Sequence, residues 1–324
     1  MKYVNLGHSG LKVSRICLGC MGFGTPGIGQ QKWAVDEEQA EKVITYALSK
    51  GINFFDTANM YSQGESERIV GKILNKHACR DDIVVATKIY YPMYQGVNAQ
   101  GLSRKAIMRE VDHSLKRLGM DYIDLLIIHR FDETTPVEET MEALHDLVKM
   151  GKVRYLGASS MSAWQFAKMQ YVAKMNHWTP FISMQDMYNL LYREEEHEMI
   201  PLLQDMDVAM TPWSPLARGK LARSPETISA RGQNDALISR YYQDRSDDLD
   251  IINRVGEIAQ KRGVSRATIA MAWEFSKPYV TAPLIGSTKI SHIDTAIEAL
   301  SLHLTDEEVA YLEEPYHIHE WLTF

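Results

Sequence analysis

The chain has 324 residues, 45% hydrophobic and 24% charged, the balance of a globular protein with enough apolar side chains for a sizeable core. Its formal net charge of -7 and its pI near 5.9 argue against nucleic acid or an anionic membrane as a partner, because both attract basic surfaces. No run approaches the ~18 apolar residues that span a bilayer, and residues 1–7 lack the apolar core of a signal peptide. The cysteines Cys17, Cys20 and Cys79 show neither a disulfide framework nor metal-ligand spacing. We therefore expect a reducing, cytoplasmic location and no metal site.

Short apolar segments alternate with longer segments of helical periodicity, which is the βαβα order of a parallel sheet covered by helices. Before the alternation starts, residues 3–13, with Gly7-His8-Ser9-Gly10 at their centre, predict a β-hairpin that closes the bottom of a barrel. Eight strands follow, several of them too apolar to have a solvated face, and eight is the number that closes a barrel. The predicted strands cover residues 15–18, 53–56, 83–88, 123–129, 153–158, 181–185, 208–213 and 281–285.

Helices are predicted between these strands. Ser103 and Ser265 are suitable N-caps, and Gly119 stands where the end of a helix favours a left-handed residue. Thr305 and Glu308 have the spacing of a capping box. The eight predicted helices cover residues 36–50, 66–76, 103–118, 137–150, 163–175, 194–205, 265–276 and 292–299, and two extra helices cover 248–262 and 305–314.

Residues 215–246 are too many for an ordinary connection and include few apolar side chains, so they predict a loop over the mouth of the barrel. No internal repeat and no low-complexity tract is present. We therefore predict one domain over residues 1–324, of the α/β class: a (β/α)8 TIM barrel with an N-terminal β-hairpin and extra helices.

Polar side chains stand at the carboxyl ends of three successive predicted strands. The second strand ends at Asp56, the third at Lys88 and the fourth at His129, and Tyr61 lies in the loop after Asp56. Taken singly, such residues are more often a turn cap, a solvated lysine or a satisfied core histidine. The carboxyl ends of barrel strands converge on the mouth, so the four side chains are expected to meet there and to form an active site.

This group of side chains suits the reduction of a carbonyl compound. A carbonyl group that accepts hydride becomes an alkoxide, which needs a proton and hydrogen-bond donors. A free tyrosine, with a pKa of about 10, is a poor acid at neutral pH. The ammonium of Lys88 favours the phenolate and should make Tyr61 a better acid, while Asp56 keeps the lysine charged. His129 is expected to hydrogen-bond the substrate oxygen.

At these residues the sequence resembles the aldo-keto reductase superfamily, and the resemblance extends along nearly the whole chain. Residues 51–62 contain the family's Asp-Thr-Ala-x-x-Tyr signature, residues 118–125 are similar to its second signature, and residues 85–88 resemble the strand that carries its catalytic lysine. The resemblance implies an NADPH-dependent enzyme that reduces aldehydes or ketones to alcohols by direct hydride transfer. It implies four catalytic roles: Tyr61 as general acid, Lys88 as the partner that lowers its pKa, Asp56 as counter-ion of the lysine and His129 as the residue that orients the substrate.

The resemblance also implies a site for NADPH or NADP+. Family members hold the nicotinamide with polar residues after the fifth and sixth strands and stack it on an aromatic residue after the seventh, and they bind the 2′-phosphate near the eighth. Ser160 departs from the usual Asn, and His292 stands where many members have Arg. The implied cofactor-binding residues are Gly22, Asp56, Ser159, Ser160, Gln185, Trp213, Ser214, Leu216, Gly219, Lys220, Gly286, Ser287, Thr288, Lys289 and His292.

Within this superfamily, residues 157–161, 188–196 and 314–319 resemble bacterial YajO-type reductases and aryl-alcohol dehydrogenases. Met21 and Phe23, in the loop of Gly22, are expected either to line the substrate pocket or to pack in a tight turn. The substrate is expected to be a small carbonyl compound, and both a monomer and a homo-oligomer are compatible with the sequence.

Two alternatives remain open at this point. The same barrel serves as a nicotinamide-binding regulatory subunit of potassium channels, where the cofactor acts as a sensor. An enzyme of phosphorylated sugars is the other alternative, because Arg130, Arg193, Arg218 and Arg223 lie near predicted loops and arginine binds phosphate in a bidentate manner.

Overall fold

In a computed structural model, which describes residues 1–27, 33–227, 238, 241–242, 246–318 and 322, eight parallel strands form the wall of a barrel. The first seven strands pair in chain order, and the last strand pairs with the first. The ring is closed by hydrogen bonds from Thr281 N to Met210 O and from Leu284 N to Pro212 O, both 2.8 Å. The predicted (β/α)8 fold is confirmed. The strands are β3 (Cys17–Gly19), β4 (Phe54–Asp56), β5 (Val84–Ile89), β6 (Ile123–Ile128), β7 (Val153–Ser159), β8 (Phe181–Gln185), β9 (Ala209–Met210) and β10 (Leu284–Gly286).

Along each strand, the side chains point alternately to the inside of the barrel and to the helices around it. Phe54, Val84 and Leu125 belong to a small inner cluster, whereas Phe55 and Val85 belong to the large cluster that packs under the helices. This period of two explains why the strands are apolar on both faces. Each fully buried side chain of this size contributes about 1.5–3 kcal/mol to folding.

The predicted hairpin is present as β1 (Tyr3–Asn5) and β2 (Lys12–Ser14), and it closes the amino end of the barrel. His8 N donates to Asp207 O at 2.7 Å, which ties the turn to the segment before β9. Gly7 has a φ of +56°, and a Cβ there would overlap the backbone of β8 and β9. Leu6 is fully buried in the inner cluster, so the opposite, carboxyl end is the open one.

Helices cover the outside of the barrel, and their caps follow the predicted signals. Ser103 accepts a hydrogen bond from Ala106 N, Ser265 accepts one from Thr268 N, and Thr305 and Glu308 form the capping box. None of the described helices is long and apolar enough to cross a membrane. They are α1 (Glu37–Ser49), α2 (Glu65–His77), α3 (Arg104–Leu118), α4 (Val137–Lys149), α5 (Ala163–Met175), α6 (Met199–Asp205), α7 (Ser246–Arg262), α8 (Arg266–Ser276), α9 (Ile290–Ser301) and α10 (Asp306–Glu313).

Two predicted elements lose four or more residues in the structure. The strand over 208–213 is reduced to Ala209–Met210, because Pro212 has no N–H for the ladder. The helix over 194–205 begins only at Met199, after a separate turn at Glu194–Glu196. The predicted loop over 215–246 lies partly outside the described residues, which omit 228–237, 239–240 and 243–245.

Candidate active site

Three polar side chains from neighbouring strands meet at the open end of the barrel. Asp56 ends β4, Lys88 lies near the end of β5, and His129 follows β6 directly. Their side chains are buried, with exposed fractions of 1%, 0% and 7%. The structure therefore brings together the residues that the sequence placed at strand ends.

The ammonium of Lys88 uses all three of its donors inside this cluster. It donates to a carboxylate oxygen of Asp56, to the carbonyl oxygen of Thr57 at 2.9 Å and to the hydroxyl of Tyr61 at 3.2 Å. Three donors are the full capacity of an ammonium group. The lysine is therefore fixed in position, and its charge acts directly on the phenol.

A strained turn carries Tyr61 back to Lys88. Ser62 and Gln63, the next two residues, have φ values of +46° and +56° although neither is glycine, a conformation that costs about 1–3 kcal/mol per residue. The loop is fixed by a 3.1 Å hydrogen bond from Asn59 N to Lys88 O. A Cβ at Gly24 would overlap the Ser62 side chain, so the first loop of the barrel presses against this turn.

The imidazole of His129 lies between two tyrosine rings. Its ring centroid is 5.9 Å from that of Tyr61 and 5.1 Å from that of Tyr91, with both contacts edge-on. Burial places the pKa of His129 well below its ordinary value, and the charges of Lys88 and Arg130 lower this pKa further. The ring is therefore neutral near pH 7, and it can donate one N–H and accept at its other nitrogen. Its Nδ1 has no hydrogen-bond partner among the described residues.

Burial and the Lys88 ammonium shift the pKa of Tyr61 in opposite directions. Burial raises the pKa of the phenol above its ordinary value, and the Lys88 ammonium, which acts in the predicted direction, only partly offsets this. For Lys88, burial lowers the pKa, but the attraction of Asp56 and Tyr61 outweighs it and the pKa of the ammonium is raised. Burial also raises the pKa of Asp56, against the opposing effects of Lys88 and Gln185.

The polar residues predicted for the nicotinamide form a chain of hydrogen bonds beside this cluster. Gln185 Nε2 donates to Asp56 at 2.9 Å, and the Ser159 hydroxyl donates to Gln185 O at 2.7 Å. The indole N–H of Trp213 donates to the Ser160 hydroxyl at 3.2 Å. The ends of β4, β7 and β8 and the segment after β9 therefore share one polar wall.

Two residues of the site were not identified from the sequence. Asp186 accepts a 2.7 Å hydrogen bond from Ser160 N and holds that serine at a φ of +51°. Burial raises the pKa of Asp186 to about 7. Tyr91 is the second missed residue, through its contact with His129. Both lie just beyond the carboxyl end of a barrel strand, which is the same signal that identified His129.

The loop after β9 holds Ser214, Leu216, Gly219 and Lys220 in an unusual backbone path. Ser214, Ala217, Arg218 and Gly219 all have positive φ, with values of +60°, +46°, +54° and +100°. Asn189 Nδ2 fixes the loop by donating to Ser214 O at 3.0 Å. Left-handed residues other than glycine are characteristic of ligand clamps. The turn is held by its own backbone, with Ala217 N donating to Ser214 O at 2.9 Å and Gly219 N to Leu216 O at 2.7 Å.

The segment predicted for the 2′-phosphate lies next to the first loop of the barrel. A Cβ on Gly22 would come within 3.0 Å of the Thr288 side chain, and Gln39 Nε2 donates to Thr288 O at 3.1 Å. Burial lowers the pKa of His292, and the charges of Lys289 and Arg223 lower it further. Ser287, next to this cluster, donates to Lys289 O at 2.8 Å. The cations of Lys289 and Arg223 are the donors that a phosphate needs, so the residues present fit a phosphorylated dinucleotide.

Some predicted side chains lie elsewhere. Phe23 is fully buried in the large core cluster, so it packs in the turn and does not line the pocket. The guanidinium of Arg193 is held by Glu196 at 2.7 Å and Glu313 at 3.3 Å, which makes it part of a structural network. Arg130 directly follows His129, and its Nη1 donates to the carbonyl oxygen of His129 at 2.5 Å.

The fold and this site together define a class of oxidoreductase: a (β/α)8 barrel with a tyrosine, a lysine, an aspartate and a histidine clustered at its open end. The chain belongs to the aldo/keto reductase family, whose family model matches residues 17–317. It is an oxidoreductase that acts on small carbonyl compounds, and members of this family typically use a nicotinamide cofactor.

Its relatives match over almost the full length. Versiconal hemiacetal acetate reductase of Aspergillus parasiticus is 47% identical, over 98% of this chain and 97% of the relative. An aldo-keto reductase of Alternaria alternata is 44% identical over 97% of this chain and 91% of the relative, and a putative aryl-alcohol dehydrogenase of Saccharomyces cerevisiae is 42% identical over 98% and 97%. The resemblance to aryl-alcohol dehydrogenases is thus confirmed. The expectation of bacterial relatives is corrected, because these relatives are fungal.

Proposed function

We propose that the protein is an NADPH-dependent reductase of aldehydes or ketones in which Tyr61 is the general acid. The observation that carries the proposal is the 3.2 Å hydrogen bond from Lys88 to the Tyr61 hydroxyl, beside a neutral imidazole. A proton donor and a second hydrogen-bonding group converge on one point, as the reduction of a carbonyl oxygen requires. The relatives named as reductases and dehydrogenases support the same chemistry.

Tyr61 delivers its proton to the substrate oxygen as negative charge develops there. Lys88 stabilises the resulting phenolate because its ammonium already donates to the phenol oxygen. Asp56, buried and paired with that ammonium, balances its charge. The pKa of Tyr61 is raised by burial before a substrate arrives, so proton transfer is driven by the basicity of the alkoxide rather than by a permanently acidic phenol.

His129 orients the substrate. Because its pKa is well below the ordinary value, the imidazole is neutral, and an N–H donated to the carbonyl oxygen directs that oxygen toward Tyr61. A protonated imidazole would compete with Tyr61 as the acid. Burial and the neighbouring cations therefore assign the two groups different roles.

When bound, NADPH would supply the hydride. Ser159, Ser160 and Gln185 are proposed to hold its carboxamide and Trp213 to stack on its ring. Gly22, Ser214, Leu216, Gly219 and Lys220 would lie along the nicotinamide and pyrophosphate. Gly286, Ser287, Thr288, Lys289 and His292 would hold the adenosine end. The cations near Thr288 favour the 2′-phosphate of NADPH over the free hydroxyl of NADH.

The test is to follow NADPH fluorescence over time after a generic aldehyde is added to the purified protein. We expect the fluorescence to fall steadily as NADPH is oxidised. If NADPH binds but is not consumed with any of a panel of aldehydes and ketones, the proposal is wrong and the regulatory barrel is the better description. The alcohol products with NADP+ provide the reverse assay.

A further inference from the structure

A guanidinium group stands at the mouth of the barrel, directly beside the substrate-orienting imidazole. Arg130 follows His129 in the chain, and its Cζ lies 5.6 Å from the centroid of the Tyr91 ring. That ring in turn contacts the His129 ring at 5.1 Å. Arg130 is half-buried. Its charge is thus only partly screened by water, and its Nη1 donates to the carbonyl oxygen of His129 at 2.5 Å, which fixes the guanidinium beside the proposed reaction centre.

The charge of Arg130 acts on titratable groups at the ends of several strands. Burial is the largest cause of the pKa shifts of Tyr61, His129 and Asp186, but the Arg130 charge lowers the pKa of each of these groups as well. These residues follow β4, β6 and β8 respectively. Arg130 itself lies two residues beyond the end of β6, so its cation stands at the same end of the barrel as these groups, where the part of a substrate beyond its carbonyl group would lie.

The chemistry of the side chain indicates what it binds. A guanidinium has a planar fork of N–H donors that matches the two oxygens of a carboxylate, and such charge-assisted pairs are stronger when partly removed from water. The flat ring of Tyr91 contacts both the guanidinium and the imidazole and offers a surface for an aromatic or planar segment.

We propose that the preferred substrates are carbonyl compounds that carry a carboxylate, which Arg130 binds while the carbonyl oxygen lies between Tyr61 and His129. This inference rests on the proposed function and narrows its substrate class. The reduction itself is unchanged: hydride goes to the carbonyl carbon and a proton to its oxygen. The carboxylate of the substrate is neither oxidised nor reduced.

The experiment compares two aldehydes that differ in one group. Para-carboxybenzaldehyde and para-nitrobenzaldehyde have planar substituents of similar size, but only the first is charged at neutral pH. The quantity measured is the ratio of their kcat/KM values with NADPH. We expect Arg130→Met to lower this ratio by about 10- to 100-fold, the range for losing a hydrogen bond to a charged group, with an intermediate ratio for Arg130→Lys. Because the ratio is compared between variants, the intrinsic reactivities of the two aldehydes cancel.

Arg154→Met is the matched control. Arg154 also lies over a tyrosine ring, with its Cζ 4.1 Å from the centroid of Tyr122, but it stands near the start of β7, at the closed end of the barrel. The ratio of the two kcat/KM values should be the same in Arg154→Met as in the parent. NADPH binding, measured by fluorescence titration of each variant, shows that the cofactor site is intact.

The outcomes separate the two proposals. An equal ratio in the parent and in Arg130→Met overturns the carboxylate inference, while turnover of the nitro compound leaves the proposed function in place. A parent enzyme that consumes NADPH with neither aldehyde, nor with the wider panel, contradicts the proposed function itself. The same comparison is made with glyceraldehyde 3-phosphate and glyceraldehyde. If Arg130→Met lowers the kcat/KM ratio of this pair more than that of the carboxylate pair, the inference is overturned, and Arg130 binds a phosphate instead.

Discussion

Lys88 donates a hydrogen bond to the hydroxyl of Tyr61 across 3.2 Å, and the same ammonium is bound to Asp56 and to the carbonyl oxygen of Thr57. The lysine has no remaining donor, so it can act on a substrate only through the tyrosine. The left-handed turn at Ser62 and Gln63 is the backbone feature that makes this contact possible. The two residues therefore function as one unit, and substitutions at each should have different effects.

Tyr61→Phe removes the proposed acid and should lower kcat by about 10²- to 10⁴-fold. NADPH affinity should be unchanged, because the phenol is not among the groups that hold the cofactor. Stopped-flow turnover and fluorescence titration measure the two quantities separately. Tyr171→Phe, at an exposed position on α5, is the control and should match the parent. Aldehyde reduction by Tyr61→Phe at the parent rate would show that another group supplies the proton.

Lys88→Met leaves the carboxylate of Asp56 buried without its cation, which should lower the free energy of unfolding by about 3–5 kcal/mol. The double variant Lys88→Met/Asp56→Asn should recover part of this loss.

The pKa of Asp56 is already raised by burial and would rise further without Lys88. A raised pKa in the folded state costs stability as pH increases, so the loss should be larger near pH 8 than near pH 5. Urea unfolding at both pH values measures this.

A loss of stability that is the same at both pH values would show that Asp56 does not carry the effect. Equal stability of the single and double variants would lead to the same conclusion. Lys105→Met, an exposed lysine on α3, controls for the removal of a lysine charge from the surface.

The site residues that could be predicted from the sequence are those whose role follows from the local pattern and from their position at a strand end. Asp56, Lys88 and His129 were identified because a polar residue at the end of an apolar strand stands out from its neighbours, and barrel geometry converts that position into proximity. Asp186 also stands at a strand end, but its role depends on its contact with the backbone N–H of Ser160, which follows another strand. No sequence pattern records that contact.

Tertiary contacts also explain the elements that were placed wrongly. Glu194 accepts from the Tyr316 hydroxyl at 2.8 Å and Glu196 accepts from Tyr188 at 2.6 Å. These tyrosines, which lie outside the segment, hold it apart from α6, although its composition favours a helix. The left-handed backbone at Ala217 and Arg218 was equally unpredictable, because neither residue type prefers that conformation.

Lys289→Ala should raise the KM for NADPH at least tenfold and leave the KM for NADH almost unchanged, because only NADPH carries the 2′-phosphate that the cation would pair with. Steady-state kinetics with both cofactors and one aldehyde measure the ratio. Lys168→Ala, an exposed lysine on α5, is the control. Equal effects on the two cofactors would place the 2′-phosphate away from Lys289.

Glu274→Met should stabilise the protein. Glu274 lies on α8 with an exposed fraction of 0%, and neither of its carboxyl oxygens has a hydrogen-bond partner among the described residues. Burial holds the pKa of this carboxyl well above its ordinary value. A buried polar group without a partner costs about 1–3 kcal/mol, and methionine, which is of similar length, removes that cost.

The gain from Glu274→Met should also depend on pH, with a sign that follows from the raised pKa. At low pH the carboxyl is protonated in both the folded and the unfolded states, so only the neutral group is buried. As pH rises above the ordinary pKa of glutamate, the unfolded chain ionises first and the folded state becomes progressively less favourable. Urea midpoints should therefore differ more near pH 8 than near pH 5. Glu142→Met, at an exposed site on α4, should show no such trend, and a destabilised Glu274→Met would mean that the carboxyl has a stabilising partner in solution.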